Sequence, residues 1–310
     1  MRLRFRGVTV REAMLLHGPA GWGEFAPFPE YDDAESARWL AAAVEAAWTG
    51  WPAPVRDRVP VNATVPAVAA ADVADVLARF PGCTTAKVKV AEAGQRLADD
   101  VDRVAAVRAV LGPGGRVRVD ANGAWDLEQA RGALTALSAY DLEYAEQPCA
   151  SLPELAALRV ALARDGVDVP VAADESVRRA EDPLRVALAG AADVVVLKVA
   201  PLGGVARALE VAQACGLPVV VSSALDTSVG IRAGLALAAA LPALPYACGL
   251  ATASLLADDV VAAPLQPVDG HLPVGAVEAD PVRLARLAAP PDRDAAWRAR
   301  ARRCAARLGD

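Results

Sequence analysis

Residues 85–90 read Thr-Ala-Lys-Val-Lys-Val, and residues 117–122 read Val-Arg-Val-Asp-Ala-Asn. Each stretch is a short run rich in β-branched residues, which favours a β-strand, and each carries charged or polar residues at its end. Because side chains alternate along a strand, Lys87 and Lys89 are predicted to point to the same side. Two strands of this form predict a sheet whose functional polar residues lie at the carboxyl ends of the strands.

The same form recurs along most of the chain. Eight apolar runs alternate with helical segments: 61–64, 85–90, 117–120, 142–146, 169–174, 194–198, 219–222 and 246–248. Alternating strands and helices imply parallel pairing, and eight such units favour a closed barrel of the α/β class. An open, doubly wound sheet is the structural alternative. A dinucleotide fold is not expected, because the first strand is not followed by a Gly-x-Gly-x-x-Gly turn.

Start signals place helices between these runs. Asp126 and Gln129 have the spacing of a capping box. Ser151 and Glu154 repeat that spacing, and Asp182-Pro183 has the form of an N-cap followed by a proline in the first turn.

The N-terminal residues 1–60 differ from the repeating units. Residues 3–16 are predicted to form two antiparallel strands, followed by a Gly/Pro/aromatic loop over 21–28 and a helix from about residue 34. This mixture predicts a small α+β unit that precedes the barrel.

The C-terminal residues 264–310 are loop-rich and end in an Arg-rich helix over 297–307, which is predicted to be an exposed surface helix. We expect this segment to return to residues 1–60. The chain is therefore predicted to consist of a barrel over 61–263 and a cap domain formed by its two ends.

Composition excludes several classes of protein. The 310 residues carry a net charge of −6, which argues against a nucleic-acid partner. Five scattered cysteines without a Cys-x-x-Cys pair fit thiols in a reducing compartment. The N-terminus lacks a hydrophobic signal core, and prolines 242 and 245 interrupt the uncharged stretch 233–257. We expect a cytoplasmic protein, monomeric or a small homo-oligomer, with no membrane partner.

Polar residues stand at the ends of five successive runs. These ends are Lys87-Val88-Lys89, Asp120-Ala121-Asn122, Glu146-Gln147-Pro148, Asp174-Glu175-Ser176 and Lys198. The carboxyl ends of barrel strands form the active-site face. One such end alone favours a turn or a solvated surface, but five in order predict three carboxylates that converge between lysines.

Three converging carboxylates resist burial unless a cation neutralises them. Asp120, Glu146 and Asp174 offer only oxygen ligands, which suit Mg²⁺ or Mn²⁺. Zinc is disfavoured, because the two histidines, His17 and His271, lie at no strand end.

A metal beside lysines favours removal of a proton from the carbon next to a carboxylate, because the resulting anion needs strong electrostatic stabilisation. A lysine serves as base only if its pKa falls toward neutrality, and Lys87 and the metal are expected to lower that of Lys89. Lys198 is predicted to be a second acid or base, or a fixed cation over the intermediate.

The order Lys-x-Lys, Asp-x-Asn, Glu-Gln-Pro, Asp-Glu-Ser, Lys resembles the enolase superfamily, specifically its muconate-lactonising-type subgroup. The resemblance spans nearly the whole chain and implies a (β/α)7β barrel with an α+β cap. Mandelate-racemase-like members carry a His–Asp dyad, and this chain has no histidine near Ser222. By position, the resemblance implies Mg²⁺ ligands, a catalytic pair and an assisting lysine: Asp120, Glu146 and Asp174; Lys89 and Lys198; and Lys87.

Within the subgroup, segments such as 21–28, 84–90 and 222–230 are similar to the short actinobacterial members of the o-succinylbenzoate synthase family. This likeness implies syn dehydration of 2-succinyl-6-hydroxy-2,4-cyclohexadiene-1-carboxylate in menaquinone biosynthesis. Lys89 would remove the proton and return it to the departing hydroxide. Members of the family usually have more of the first strand before Met1, so that either the cap is trimmed or the true start lies upstream.

Two alternatives stay open. An N-succinylamino acid racemase or dipeptide epimerase would use Lys89 and Lys198 as opposed acid and base, and the epimerase ranks lower because no Asp-x-Asp follows Cys248. A non-catalytic binding barrel would be marked by replacement of a ligand or a lysine, and none is replaced.

Substrate binding is predicted around the mouth of the barrel. Hydroxyls and backbone N–H groups at Ser222, Ser223 and Gly249 are expected to bind the succinyl carboxylate. Phe28 is expected to cover the ring and exclude water. Asn122 completes the predicted set of substrate-binding residues.

Overall fold

The computed structural model describes residues 1–178 and 189–308. The predicted helix start at Asp182-Pro183 lies outside the described residues. Within them, no helix combines the length and the apolar character that crossing a membrane requires.

The N-terminal residues form a hairpin and a helix. Strands β1 (Met14–Gly18) and β2 (Gly21–Phe25) pair antiparallel, and helix α1 (Asp33–Val44) lies against them. The helix confirms the prediction, but the strand pair lies over 14–25 rather than 3–16. The glycines that indicated a loop are required for close packing, since a Cβ at Gly23 would lie 2.0 Å from the carbonyl oxygen of Ala43 in α1.

The central element is a curled parallel sheet of seven strands. After β3 (Arg58–Pro60), its members in chain order are β4 (Ala63–Val65), β5 (Thr85–Lys89), β6 (Arg116–Asp120), β7 (Leu142–Glu146), β8 (Val171–Ala173), β9 (Val194–Leu197) and β10 (Val219–Val221). Each strand pairs with the next strand of the chain. This sequential order is that of a barrel and excludes the doubly wound alternative.

Two residues close the ring between β10 and β4. Cys248 bridges in parallel to Val61, and Gly249 bridges in parallel to Ser222. Backbone bonds from Asn62 N to Cys248 O (3.0 Å) and from Gly249 N to Val221 O (2.8 Å) complete the closure. The predicted run 246–248 therefore forms no regular strand, because its pairing is limited to these isolated bridges.

Helices follow the strands and cover the outside of the sheet. They are α2 (Val73–Leu77), α3 (Leu97–Leu111), α4 (Leu127–Leu137), α5 (Leu152–Asp165), α6 (Glu175–Arg178), α7 (Val199–Leu202), α8 (Val205–Cys215) and α9 (Ser228–Ala240). A π-helical turn spans Glu45–Thr49, and 3-10 turns span Ala70–Asp72, Ser138–Tyr140 and Ala251–Leu255. The capping boxes predicted for α4 and α5 are both present.

The C-terminal residues contact two elements from the first part of the chain, β3 and α1. Strand β11 (His271–Pro273) pairs antiparallel with β3, and helix α10 (Pro281–Arg286) follows it. Helix α11 (Pro291–Ala306) packs on α1, where the Trp297 ring meets the edge of Phe25 at 5.7 Å. Arg300 and Arg303 of α11 bind Ser36 and Asp33. The Arg-rich helix is thus bound to the N-terminal segment. Its own buried residues are Trp297 and Cys304.

Candidate active site

The strand ends are in register at the carboxyl edge of the sheet. Lys89 of β5, Asp120 of β6 and Glu146 of β7 are successive cross-strand partners. Asp174 directly follows β8, and Lys198 directly follows β9. The five predicted strand ends therefore meet at one level.

Each carboxylate binds a lysine. Lys87 Nζ lies 2.8 Å from Glu146 Oε1 and 3.2 Å from Asp120 Oδ2. Lys89 binds Asp120, and Lys198 binds Asp174. The side chains of Asp120 and Glu146 are almost completely buried. This is an array of alternating charges with little access to water.

The pKa values of two carboxyl groups in this array shift in opposite directions, because the neighbouring charges outweigh burial in only one of them. Burial alone would raise the pKa of Asp120, but the charges of Lys89 and Lys87 outweigh it and hold that pKa well below its usual range. Burial and the negative charge of Asp120 raise the pKa of Glu146 to about 7. The raised pKa of Glu146 therefore reflects its burial first and repulsion from the neighbouring carboxylates second.

The two lysines of β5 also differ. Burial would lower the pKa of Lys87, but Glu146 and Asp120 raise it, so that Lys87 stays an ammonium. The pKa of Lys89 is lowered, mainly by burial, with Asp120 opposing and the charge of Lys87 contributing. Lys89 is therefore the lysine that more readily gives up its proton, and burial is a larger cause than the neighbouring lysine.

The carboxylates fit a hard divalent cation in chemistry. In the described part of the chain, no three Asp, Glu, His or Cys side chains stand together as a formed metal centre, and the carboxylates bind lysines instead. The donor set consists of carboxylate oxygens only, which suits Mg²⁺ or Mn²⁺. Asp120 and Asp174 contribute to the raised pKa of Glu146 by repulsion, which a bound cation would relieve.

Strained turns and an amide hold the strand ends in place. Asn122 and Gln147 have positive φ angles of 49° and 39°, which turn the chain at the ends of β6 and β7. The buried amide of Gln147 accepts a hydrogen bond from Asp174 N (2.9 Å) and donates one to Ser176 Oγ (2.6 Å). The motif Glu-Gln-Pro thereby fixes the position of the neighbouring Asp174 segment.

A cavity of about 340 Å³ opens above this array. Of the residues predicted to react with or bind substrate, it is lined by Lys87, Lys89, Lys198, Asn122, Ser222, Ser223, Gly249 and Phe28. The structure therefore brings the predicted catalytic and substrate-binding residues together around one space, whereas the predicted metal ligands Asp120, Glu146 and Asp174 are buried and do not line it.

Several residues that line this cavity were not predicted, among them Phe5 and Arg6. Phe5 and Arg6 belong to the N-terminal segment, and the Phe5 ring centroid lies 5.1 Å from Lys89 Nζ. Arg6 donates to Asn122 Oδ1 (2.8 Å) and to the carbonyl oxygen of Val90 (2.7 Å). The guanidinium thus ties this segment to the ends of β5 and β6. The local sequence Arg-Phe-Arg-Gly carries no signal of that distant contact.

The serine hydroxyls at the end of β10 are engaged with the closing segment. Ser222 Oγ and Ser223 Oγ lie 3.4 and 3.0 Å from Gly249 O, and Ser223 Oγ lies 2.6 Å from Thr252 Oγ1. A Cβ at Gly249 would lie 2.5 Å from Ser222 Oγ, so that glycine permits this close approach. A carboxylate bound here would compete with Gly249 for these hydroxyl hydrogens.

Comparison with known proteins agrees with this geometry. The family model for the enolase C-terminal domain-like fold matches residues 69–278, and that for the enolase N-terminal domain-like fold matches residues 1–47. A Thermobifida fusca (strain YX) protein named o-succinylbenzoate synthase is 63% identical over 97% of this chain and 92% of its own. The Mycolicibacterium smegmatis protein of that name is 61% identical over 96% of this chain and 90% of its own. The chain belongs to the o-succinylbenzoate synthase family of the enolase superfamily.

Solved structures of the superfamily share the fold. Muconate cycloisomerase from Pseudomonas fluorescens superposes with a TM-score of 0.74 over 88% of this chain and 92% of its own, at 24% identity. The predicted resemblance to the enolase superfamily is confirmed by the family models and the relatives. The muconate lactonizing enzyme from Pseudomonas putida, 28% identical with a TM-score of 0.65 over 75% of this chain and 67% of its own, confirms the resemblance to the muconate-lactonising-type subgroup. Members of the o-succinylbenzoate synthase family are hydro-lyases, so that the chain is an enzyme and not a binding barrel. Enzymes of the superfamily generally depend on a divalent metal.

Proposed function

We propose that this chain dehydrates 2-succinyl-6-hydroxy-2,4-cyclohexadiene-1-carboxylate to o-succinylbenzoate, with Mg²⁺ as cofactor and within menaquinone biosynthesis. Its relatives at 63% and 61% identity are named for this activity. The array of buried lysines and carboxylates below a cavity supports the proposal, because removal of a proton next to a carboxylate requires a base and several fixed positive charges.

One observation carries the proposal: Lys89 and Lys198 face the cavity from opposite sides. Three strands, β6 to β8, separate β5 from β9 in one direction around the ring. In the other direction, β4, the closing residues Cys248 and Gly249, and β10 separate them. A substrate in the cavity would therefore have one lysine on each face.

In the proposed mechanism, neutral Lys89 removes the proton from the carbon that bears the carboxylate. The ring then expels its hydroxyl group, which takes the same proton from Lys89 and departs as water, so that the product ring becomes aromatic. Lys198 stays an ammonium and stabilises the negative charge that develops between these steps. Lys87 holds Glu146 and Asp120 beside Lys89.

Asp120, Glu146 and Asp174 would hold the divalent cation, which would supply electrostatic stabilisation to the substrate carboxylate. Phe5 and Phe28 line the cavity and would exclude water from the reacting ring.

The deciding experiment is an ultraviolet assay of the purified chain with Mg²⁺. Formation of the aromatic product from the cyclohexadiene substrate is expected, and N-succinyl amino acids are tested in parallel for racemisation. The opposed lysines are also what a two-base racemase requires. Turnover of N-succinyl amino acids without dehydration would replace the proposed function by that alternative.

We further propose that Ser223 contributes to binding of the succinyl carboxylate. Ser223→Ala is expected to raise KM by about tenfold with little change in kcat, because a hydroxyl that contacts the succinyl carboxylate and not the reacting carbon binds substrate and transition state equally. Steady-state kinetics of Ser223→Ala and Ser222→Ala measure this effect. An unchanged KM in both variants would place the succinyl group elsewhere in the cavity.

We also propose that residues 1–60 and the segment 264–310 form the cap domain, and residues 61–263 the barrel. The contacts of α11 with α1 support the association of the two ends. No disulfide joins the five cysteines, all of which lie in the part of the chain that the structure describes. This supports a cytoplasmic location.

A further inference from the structure

The loop over residues 222–227 connects β10 to α9 and forms one wall of the cavity through residues 222–225. Its first two residues extend the sheet, since Ser222 N bonds to Leu197 O (2.9 Å) and Ser223 N bonds to Gly249 O (3.1 Å). The remaining residues leave the sheet, and Leu225 has a positive φ angle of 62°. This second half needs other contacts to hold a strained conformation.

Arg11 binds the carbonyl groups of this loop from the N-terminal segment. Arg11 Nε lies 3.3 Å from Leu225 O, and Nη2 lies 3.3 Å from Ala224 O and also binds Ala26 O. The guanidinium carbon lies 4.4 Å from the ring centroid of Phe28. One side chain therefore joins the loop to Phe28 of the N-terminal segment, which also lines the cavity.

Glu24 binds the N–H groups at the other end of the loop. The carboxylate of Glu24, in β2, accepts hydrogen bonds from Thr227 N (3.2 Å), Gly230 N (3.1 Å) and the hydroxyl of Thr227. It is buried, and a Cβ at Gly230 would lie 2.9 Å from its carboxyl carbon. Asp226, beside it, accepts from Ala224 N (3.1 Å). The Glu24 side chain thus caps the start of α9 through these hydrogen bonds and fixes the point where the loop ends.

We propose that Glu24 and Arg11 are positioning residues that set the shape of the substrate-binding wall formed by residues 222–225. The inference rests on the proposed function, in which this wall binds the substrate. Hydrogen bonds from the N-terminal segment hold both the backbone donors and the backbone acceptors of a loop that belongs to the barrel. Loss of the hydrogen bonds of either Glu24 or Arg11 lets the wall move and weakens substrate binding.

The chain offers a matched control in Glu45. This side chain also belongs to the N-terminal segment and also binds the start of a barrel helix, through Val205 N (2.6 Å) and Ala206 N (3.0 Å) of α8. A Cβ at Gly204 would lie 2.7 Å from it, as at Gly230 for Glu24. Neither glutamate lines the cavity, but Glu24 binds Thr227 of the loop 222–227, whereas Glu45 binds Val205, Ala206 and Trp51. Glu45 therefore has the same structural role without a bond to the loop that carries the wall.

The experiment compares Glu24→Ala, Glu24→Gln and Glu45→Ala with the unaltered enzyme. Glu24→Ala is expected to raise KM about tenfold and change kcat less than about threefold, because the wall binds substrate but carries no reacting group. Burial and Asp226 raise the pKa of Glu24 to about 8, so that a neutral amide is a close substitute near neutral pH. Glu24→Gln should therefore restore KM to within about threefold of the unaltered value.

Glu45→Ala should lower the melting temperature but leave KM unchanged. An unchanged KM in folded Glu24→Ala, or an equal rise in Glu45→Ala, would overturn the proposal. If Glu24→Ala does not fold, Arg11→Lys decides, because the half-buried Arg11 is easier to replace. A lysine keeps the charge but cannot reach two carbonyls and Phe28 together, so that KM should rise. An unchanged KM in Arg11→Lys would contradict the proposed role.

Hydrogen exchange separates this inference from the proposed function. Exchange of the amides in residues 222–230 should be faster in Glu24→Ala than in Glu45→Ala or the unaltered chain. This result can be obtained even if the unaltered chain does not turn over the cyclohexadiene substrate, in which case the proposed function fails alone. Equal exchange in all three proteins would refute the positioning role.

Discussion

Lys89→Ala is expected to lower kcat/KM by about 10⁴-fold, the upper range for loss of a general base. Its burial lowers its pKa, whereas the neighbouring Lys87 remains an ammonium and cannot take over proton removal. The ultraviolet assay of dehydration measures the loss. Loss of Lys89 removes one of the two lysines that pair with the buried Asp120 and leaves Lys87. Circular dichroism therefore checks that the variant is folded.

Lys198→Arg serves as the contrasting variant. Arginine preserves the positive charge that is proposed to stabilise the intermediate, but it does not release a proton. Dehydration needs one base, so that Lys198→Arg should retain measurable activity. A two-base racemase would lose racemisation, and it would also lose exchange of the substrate hydrogen with solvent at the face of the substrate toward Lys198. Substantial dehydration by Lys89→Ala would show that Lys89 is not the base.

The strand ends could be predicted because each combines an apolar run, which favours burial, with a charged residue, which resists it. A run such as Val194-Val195-Val196-Leu197-Lys198 is buried along its length yet ends in a charge, and burial of an unpaired charge is costly. The same contradiction at five successive ends requires that the charges meet one another. The structure brings them together at one level, with lysine–carboxylate pairs between them.

The hairpin and the eighth strand could not be predicted in detail, because their form depends on distant partners. Gly23 reads as a loop residue in the sequence, but it is required where β2 lies directly on α1. The run 246–248 has the composition of a strand, but only Cys248 and Gly249 find pairing partners. Local propensity does not contain this information.

The N-terminal contacts of the site were missed for the same physical reason. Arg6 reaches Asn122, and Arg11 reaches Leu225, in contacts that join residues far apart in the chain. An arginine on a short strand or loop is most often exposed, and its sequence neighbours do not show which backbone carbonyls it will meet. The polar residues of the barrel, in contrast, stand at the same place in successive strand–helix units, so that the sequence itself shows where they lie.

Removal of divalent metal is expected to lower kcat/KM by at least about 10³-fold, which corresponds to several kcal/mol of lost electrostatic stabilisation. Lys89 bound to Asp120 as an ammonium cannot accept a proton, so that Asp120 must find another cation before Lys89 acts as base. Titration of Mg²⁺ into chelated protein should restore activity. It should also raise the melting temperature, since an ion that binds the folded state stabilises it.

Asp174→Asn provides the variant for this test. It removes one of the three carboxylate charges but keeps the shape of the side chain, and the backbone bond from Asp174 N to Gln147 is retained. The concentration of Mg²⁺ needed for half-maximal stabilisation should rise at least about tenfold in this variant. Glu143→Gln, at a half-buried carboxylate that binds Arg118 below the site, is the control and should leave that concentration unchanged. Full activity after exhaustive chelation, or an equal shift in both variants, would exclude Asp120, Glu146 and Asp174 as the metal ligands.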